Sequence, residues 1–564
     1  MALLDWIVIA LFCVALIGII VWVMRQKQNN AADYFLGGKD ATWIAIGASI
    51  FASNIGSEHL IGLAGSGASS GMAMAHWEIQ GWMILILGWV FVPFYTRSMV
   101  YTMPEFLEKR FNPQSRTILA TISLISYVLT KVAVTVYAGG LVFQQVFGID
   151  ELWGIDFFWI AAVGLVLITA LYTIFGGMKS VLYTSVLQTP ILLLGSLIIL
   201  VLGLKELGGW DEMMRICSAV KVNEYGDTMT NLIRNNGDPQ YPWLGALIGS
   251  AVIGFWYWCT DQFIVQRVLS GKNEKESRRG TIFGAYLKLL PVFLFLIPGM
   301  IAFALHQNLG DFLPLNANGM PNSDAAFPTL VAKLLPAGVK GLIVCGILAA
   351  LMSSLASLFN SSSALFTIDF YQRFRPNTDP KKLVKIGQAA TVVIVLLGIL
   401  WIPVMRSIGD VLYLYLQDVQ SVLAPGIASA FLIGILWKRA SAQGGMWALL
   451  SGLIVGLTRL GAKIYYTTQG VVAGANPDAS LFQRIFFDEN WLFFCGWMLV
   501  FCLAVGVIVS LCTKAPAPEK IQGLVFGTST AEQRAATRAS WNHWDIIHSI
   551  IILAITVAFY IYFW

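Results

Sequence analysis

The chain has 564 residues, of which 57% are hydrophobic and only 12% are charged. Soluble domains usually carry about 25% charged residues, so the composition excludes a soluble globular protein and indicates a polytopic membrane protein. The net charge of +5 arises mostly from basic loops, and we infer no nucleic-acid partner from it.

The hydrophobic stretches predict an all-α integral membrane protein. A bilayer core about 30 Å thick requires roughly 20 apolar residues for each helical crossing. By this criterion we predict about fourteen transmembrane helices. The predicted spans are residues 3–24, 42–66, 71–95, 117–147, 157–176, 178–205, 242–267, 280–306, 327–368, 386–405, 410–437, 444–466, 488–512 and 546–564.

The distribution of basic residues predicts the orientation, because short cytoplasmic loops carry an excess of Lys and Arg. With the N-terminus outside, about two thirds of the 36 basic residues fall in inner loops. Outer loop 148–156 carries only acidic charges. We therefore predict a multi-pass plasma-membrane (inner or cytoplasmic membrane) protein with both termini extracellular or periplasmic, and a first span that is retained as a helix.

The polar segments between the spans are too short to form a separate soluble domain. Outer loop 206–241 is predicted to contain a short helix, Asp211 to Val220. The seven cysteines and five histidines show no metal-ligand spacing, so we infer neither a structural zinc nor a catalytic metal.

The most informative segment is Asn54 to His59, followed by the glycine- and serine-rich run from Gly62 to Gly71. Both lie inside apolar stretches, where hydrocarbon cannot hydrogen-bond a freed peptide group. We therefore predict a broken helix that lines a water-filled cavity, an arrangement typical of transporters.

Ionisable and amide side chains inside the spans are the next indication, because an intramembrane charge is costly and usually serves a pathway or a partner. The candidates of this kind that we single out are Glu58, His59, Glu78, Lys131, Asp261, Lys288, Gln417 and Asp418. They are too numerous to be explained as membrane anchors.

Four motifs resemble the sodium/solute symporter family, and within it the sodium/glucose cotransporter branch. They are residues 54–71, 172–180, 256–267 and 352–361. The resemblance implies a LeuT-type core of two inverted five-helix repeats with additional terminal helices. It divides the chain into an N-terminal helix and inner loop (1–41), the first repeat (42–206), an outer loop (207–241), the second repeat (242–437), two additional helices (438–512), an inner connector (513–545) and a C-terminal helix (546–564).

The resemblance also implies a sodium site where the first core helix meets the eighth. Its ligands would be the backbone carbonyls of Ala52, Ile55 and Ala350 and the hydroxyls of Ser353 and Ser354. Oxygen ligands suit a hard cation. Taken without the family motif, the two serines could equally cap or pack helices.

The same resemblance implies a sugar site. Polar contacts would come from Asn54, His59, Glu78, Lys288 and Gln417, aromatic contacts from Tyr257 and Trp258, and gates from Leu63, Trp77, Tyr257 and Tyr413. Donors, acceptors and an aromatic face together match a hexose. Alternative interpretations stay open. Glu78 and Lys288 could form a structural ion pair, and His59 and Trp258 could be ordinary core residues. Glu58, Lys131, Asp261 and Asp418 are assigned to structural roles.

Departures from the animal glucose carriers limit the functional prediction. Ser185 and Ala356 replace an acidic residue and a threonine that two-sodium members carry, so we hypothesise one Na⁺ per sugar. Gly254 stands where relatives have a side chain that contacts the sugar, and Gly81 replaces a polar neighbour of the Glu78 region, which leaves the exact sugar open.

The predicted function is sodium-coupled import of a hexose of the glucose or galactose type, with Na⁺ as the co-transported ion and no organic cofactor. The alternatives are a myo-inositol, polyol or mannose symporter and a sugar-gated sodium conductance or sensor. An enzyme is disfavoured, because the sequence shows no nucleophile and base arrangement or phosphate loop. The oligomeric state stays open.

Overall fold

A computed structural model gives the structure of the chain and describes residues 1–26, 28–56, 58–315, 319–408, 412–474 and 476–564. The side chains at positions 129, 145, 404–408 and 412–416 lie outside this description. Within the described residues the chain is almost entirely helical, as a chain must be if it crosses hydrocarbon without a closed barrel.

Twelve helices in the described part of the chain are long and apolar enough to cross a membrane. They are Leu3–Met24, Glu58–Ser98, Pro113–Gln144, Phe157–Leu207, Trp243–Thr260, Glu274–Leu309, Val339–Phe374, Pro380–Pro403, Gln417–Leu436, Ala442–Thr468, Trp491–Cys512 and His543–Tyr562. The last helix before Glu58, Trp43–Asn54, is a shorter apolar helix.

Short elements connect these helices. The short α-helices are Ala31–Phe35, Met103–Arg110, Trp210–Ala219, Gln262–Leu269, Ala326–Leu334, Leu481–Gln483 and Ala531–Ala539. Short 3₁₀ turns lie at Gly37–Lys39, Ser323–Ala325 and Pro518–Lys520, and a π-helical turn at Arg484–Asp488. One antiparallel hairpin pairs Glu151–Leu152 with Ile155–Asp156. Trp210–Ala219 is the short helix expected in the loop 206–241.

The predicted spans and the observed helices differ where the backbone bends or breaks. Predicted spans 157–176 and 178–205 correspond to the two halves of the helical segment Phe157–Leu207, which are separated by non-helical backbone at Gly177, with φ 54° and ψ −148°. Predicted span 42–66 is interrupted: its helix ends at Asn54, Ile55 is extended, and a π-helix begins at Glu58. The expected broken helix is therefore present.

A second break was not expected. Helix Trp243–Gly254 continues as a π-helix to Thr260, and Asp261 then adopts an extended conformation before helix Gln262–Leu269 begins. The Asp261 side chain accepts a hydrogen bond from the Phe263 N–H, which caps the new helix. Within the described residues, the helix at Ile55 and the helix at Asp261 are therefore both discontinuous.

Three helices hold the first break in place. Helix Trp43–Asn54 packs against Glu274–Lys288, Phe157–Leu207 and Val339–Ala364, and the last two pack extensively on each other. A hydrogen bond from the Tyr172 hydroxyl to the Met352 carbonyl, 2.9 Å long, joins them beside the paired serines.

Both ends of the described chain lie at the same end of the helix bundle. Asp5 Oδ1 accepts hydrogen bonds from the N–H groups of Gly338 and Gly341, at 2.7 and 2.8 Å. The Phe563 carbonyl accepts one from Leu232 N–H, at 2.9 Å, in the loop 206–241. The loops that follow the helices ending at Leu207 and Leu309 therefore share a side with both termini.

Two glycines set the distance between helices next to the first break. A Cβ on Gly67 would collide with the Leu296 carbonyl, and a Cβ on Gly299 would collide with the Ala64 carbonyl. Helix Ala64–Ser70 and helix Ile297–Leu309 therefore touch backbone to backbone, which is how small residues drive helix packing in membranes.

We expect the substitution Gly299→Ala to separate these helices and to lower the midpoint of thermal unfolding in detergent by several degrees, since overpacking costs about 1–3 kcal/mol. The matched control is Gly164→Ala, because a Cβ at Gly164 meets no atom within 4 Å. Equal midpoints for the two variants, measured by tryptophan fluorescence, would contradict the close packing.

Candidate functional site

The two broken helices enclose a chamber, which we call the first chamber. Its cavity volume is about 60 Å³, below the usual range of small-molecule sites, so a hexose would fit only after the walls move apart. The side chains and backbone that line it are those of Asn54, Glu58, His59, Trp77, Glu78, Gln80, Ile253, Gly254, Tyr257, Trp258, Lys288, Gln417 and Gln420. The lining includes all seven predicted sugar contacts.

A chain of polar contacts crosses this chamber. Lys288 Nζ donates to Glu78 Oε2 at 2.6 Å and to Asn54 Oδ1 at 3.1 Å. Asn54 Nδ2 donates to the Tyr257 hydroxyl at 3.2 Å. Glu78 and Lys288 are 2% and 3% exposed, so this pair is desolvated and its members depend on each other.

Several buried polar groups that face the chamber have no hydrogen-bond partner among the described residues. They are both ring nitrogens of His59, the Oε1 atom of Gln417 and the Nε1 atom of Trp77. His59 Nε2 lies 3.3 Å from Glu78 Oε2, close enough for an electrostatic contact but without hydrogen-bond geometry. Buried polar groups are almost always hydrogen-bonded, so His59 Nδ1, Gln417 Oε1 and Trp77 Nε1 are available to a polar ligand.

The aromatic wall is held by an amide that the sequence analysis did not single out. Trp258 Nε1 donates to Gln80 Oε1 at 3.2 Å, and Gln80 Nε2 donates to the Ser250 carbonyl at 2.7 Å. A Cβ at Gly254 would collide with the Gln80 side chain. Gln80 therefore occupies the space that a side chain at position 254 would need. The glycine at position 254 was the feature of the sequence that could have indicated this contact.

The Trp258 ring contacts two other members of the site. The Lys288 ammonium lies 5.3 Å from its centroid, and the Tyr257 ring meets it edge-on with centroids 4.9 Å apart. These contacts fix the ring plane beside the chamber, where it can pack against the C–H face of a ring-shaped ligand.

The predicted gate residues cover the chamber in different ways. Trp77 stacks on Trp491 with centroids 5.5 Å apart and meets Tyr241 edge-on. Leu63 is fully buried. Tyr257 closes another side through its contact with Asn54. The Tyr413 side chain lies outside the described residues.

The predicted sodium ligands lie around the first break, although their contacts differ. Ser354 Oγ donates to the carbonyls of Ser53 and Ile55 at 2.9 and 3.2 Å, so the freed carbonyl of Ile55 and this hydroxyl can contact the same small cation. Ala52 and Ala350 are buried on the two helices that carry these groups.

Ser353 points into a different cluster. Its Oγ lies 3.3 Å from Ser185 Oγ, which in turn donates to Ser49 Oγ at 3.4 Å. The structure therefore brings Ile55 and Ser354 together directly, whereas Ser353 joins a group of three hydroxyls on three helices.

The charges assigned to structural roles are largely paired. Lys131 Nζ donates to Asp261 Oδ2 at 2.7 Å, and the Tyr127 hydroxyl donates to Asp261 Oδ1. Lys463 Nζ donates to Asp418 Oδ2 at 2.5 Å. The first pair ties the helix that carries Lys131 to the second break, a connection that sequence spacing alone does not reveal.

The chain is similar in sequence to known proteins over most of its length. Residues 34–452 match the sequence profile of the sodium:solute symporter family. The chain is 37% identical over 545 residues to mouse sodium/myo-inositol cotransporter 2, covering 93% of this chain and 79% of that protein. It is 36% identical over 535 residues to zebrafish sodium/glucose cotransporter 4, covering 92% and 80%.

Solved structures show the same fold. A substrate-bound, outward-open Na⁺-coupled sialic acid symporter superposes with a TM-score of 0.72 at 23% identity, covering 91% of this chain and 99% of that one. MhsT in complex with L-phenylalanine superposes with a TM-score of 0.51 at 12% identity, covering 84% and 99%. The fold class is therefore LeuT-type, as the sequence motifs implied.

We expect Lys288→Met and Glu78→Leu each to destabilise the protein by about 3–5 kcal/mol, because either change leaves a buried charge without its partner, and we expect the double variant to recover part of that loss. Thermal unfolding in detergent measures all three. The control is Arg215→Met, which breaks an exposed ion pair of equal length, 2.6 Å, with Glu212. A Lys288→Met midpoint as high as the control's would contradict the buried pair.

Proposed function

The chain belongs to the sodium:solute symporter family, and we propose that it imports a hexose of the glucose or galactose type together with Na⁺ by alternating access. It is a transporter and carries out no chemical conversion. A myo-inositol substrate is the second candidate, favoured by the relatives named as myo-inositol cotransporters. Glucose and myo-inositol are both six-membered rings with hydroxyls around the rim, so one kind of chamber suits either.

The observation that carries the proposal is the set of unpartnered polar atoms that line the first chamber beside an aromatic plane. The hydroxyls of a hexose both donate and accept, so they can bind the Glu78 carboxylate, the Lys288 ammonium and the free amide oxygen of Gln417. The Trp258 ring offers an apolar surface to the C–H face of the sugar. A carboxylate in the wall also disfavours anionic substrates.

Coupling follows from the position of the first break. Asn54 is the last residue of its helix and faces the first chamber, and Ile55, the next residue, presents its carbonyl to Ser354. An ion held by Ala52, Ile55, Ala350, Ser353 and Ser354 would therefore fix the backbone that positions Asn54. Two ligands that stabilise the same local conformation raise each other's affinity.

The membrane location and orientation complete the proposal. Basic inner loops favour a plasma membrane with both termini outside, and the contacts at Asp5 and Phe563 support placing both termini on one side. The lipid bilayer, the sugar and Na⁺ are the partners that the proposal requires.

Uptake by proteoliposomes tests the function. We expect labelled glucose to accumulate with an inward Na⁺ gradient and not when K⁺ replaces Na⁺, and unlabelled galactose, mannose and myo-inositol to rank the substrates by competition. Glu78→Ala should abolish uptake with the protein still in the membrane, because it removes the central acceptor of the site. Sodium current without sugar accumulation would instead favour a sugar-gated conductance.

We also propose a ratio of one Na⁺ per sugar, because Ser185 and Ala356 supply fewer oxygen ligands near Ser353 than an acid and a threonine would. An ion crossing about 100 mV gains roughly 2.3 kcal/mol, and a tenfold gradient adds about 1.4 kcal/mol. One ion therefore supports about 500-fold accumulation, and a second ion would square this ratio.

Dual-isotope flux with ²²Na⁺ and labelled sugar is expected to give equal initial rates of the two solutes at saturation. Restoring the acid with Ser185→Asp is the informative companion variant, since an added carboxylate beside Ser353 should raise the ratio. A ratio of two in the parent protein would contradict the proposal.

A further inference from the structure

A second chamber adjoins the first on the far side of Tyr257. Its cavity volume is about 30 Å³, the scale of a single water molecule or small ion, and it is lined by Glu58, Lys131, Thr135, Tyr257, Phe263, Ser354, Leu358, Gln417 and Gln420. Four of these residues, Glu58, Tyr257, Gln417 and Gln420, line the first chamber as well. Ser354, the hydroxyl next to the Ile55 carbonyl, lines only the second.

Glu58 differs from the other carboxylates of this region. Glu78 is held by Lys288 at 2.6 Å, and Asp261 is held by Lys131 at 2.7 Å. No hydrogen bond or ion pair joins Glu58 to any residue that the structure describes, and its side chain is partly exposed to the chambers. Its negative charge interacts electrostatically with Lys131 and Lys288 but is held by no hydrogen bond within the described residues, and both chambers can reach it.

The position of Glu58 relative to Ser354 is set by Gly56. A Cβ built on Gly56 would lie 2.6 Å from Glu58 Oε2 and 2.9 Å from Ser354 Oγ. The two oxygens therefore face the same point beside the helix break, and the absence of a side chain at Gly56 leaves the space between them open. A small cation could pass from one oxygen to the other without leaving oxygen contact.

A third oxygen is available in the same space. Gln417 is 8% exposed, its Oε1 has no hydrogen-bond partner in the described structure, and the residue lines both chambers. A carboxylate, a hydroxyl and an amide oxygen form a donor set that a hard monovalent cation prefers.

We propose that Glu58 forms a relay site for the transported Na⁺, in which its carboxylate, with the Gln417 amide oxygen, binds the ion in the second chamber and exchanges it with the site at Ser354. The inference rests on the proposed sodium symport and adds a second binding site on the path of the same ion. One ion occupies the Glu58 site and the Ser354 site in turn, so the ratio of one Na⁺ per sugar is unchanged.

The alternative role for Glu58 is to balance the positive charge of Lys131, which lines the same chamber. Lys131 is already stabilised by Asp261 and by the rings of Tyr127, Trp256, Tyr257 and Phe263, which lie 4.8 to 5.1 Å from its ammonium. A pure charge-balancing role predicts that removing the Glu58 charge lowers stability and leaves the sodium response unchanged.

The test compares Glu58→Gln, Glu58→Asp and the control Glu151→Gln, whose side chain is exposed in the hairpin. In proteoliposomes we expect Glu58→Gln to raise the half-saturating Na⁺ concentration for uptake about tenfold, as loss of a nearby charge in a partly buried site should. Glu58→Asp should fall between this variant and the parent, and the control should match the parent.

Binding of ²²Na⁺ to the purified protein without sugar distinguishes the contribution of the Glu58 site from that of the Ser354 site. We expect Ser354→Ala to retain weak binding and Ser354→Ala/Glu58→Gln to lose it. Gly56→Ala is the substitute variant if Glu58→Gln proves too unstable to purify. It keeps the carboxylate but fills the space between the two oxygens, so it should also raise the half-saturating Na⁺ concentration.

A sodium response of Glu58→Gln equal to that of the parent, or equal ²²Na⁺ binding in the single and double variants, would overturn the relay site. These outcomes leave the proposed function intact, because the parent would still concentrate sugar with Na⁺. Failure of the parent itself to do so would overturn the proposed function instead.

Discussion

The structure depends on how a membrane protein satisfies the peptide groups that a broken helix releases. Hydrocarbon offers no hydrogen bonds, so the carbonyls of Ser53 and Ile55 must find partners inside the protein. In this structure the Ser354 hydroxyl serves both. The packing of helix Val339–Ala364 against helix Trp43–Asn54 is thus a requirement of the break, and the same oxygens are the ones a cation would use.

The buried charges are governed by the same constraint. A charge in a low-dielectric interior persists only with a partner, and each break carries one such arrangement nearby. Lys288 with Glu78 and Asn54 lies beside the first break, and Lys131 with Asp261 lies at the second. These paired polar groups would destabilise a simple helix bundle. In this structure they lie in or beside the walls of the two adjoining chambers.

Sequence patterns predicted the features that depend on local composition. The apolar spans, the break after Asn54 and the polar lining residues all follow from which residues tolerate hydrocarbon. Other features depend on contacts between distant segments. The break at Asp261 lies inside the predicted span 242–267, where one acidic residue does not by itself indicate a break, and the place of Gln80 beside Gly254 requires two helices to be docked. Ser353 and Ser354 are adjacent in sequence, yet helical geometry directs them to different partners.

The stacking of Trp77 on Trp491 has a mechanical consequence. Trp491 begins the helix Trp491–Cys512, outside the second predicted repeat, and the two rings are nearly parallel, at 18°. The attraction between flat aromatic faces changes slowly with sideways offset, whereas a hydrogen bond weakens steeply with misalignment. Trp77, which covers the first chamber, can therefore shift sideways against the Trp491 ring while helix Trp491–Cys512 stays in place.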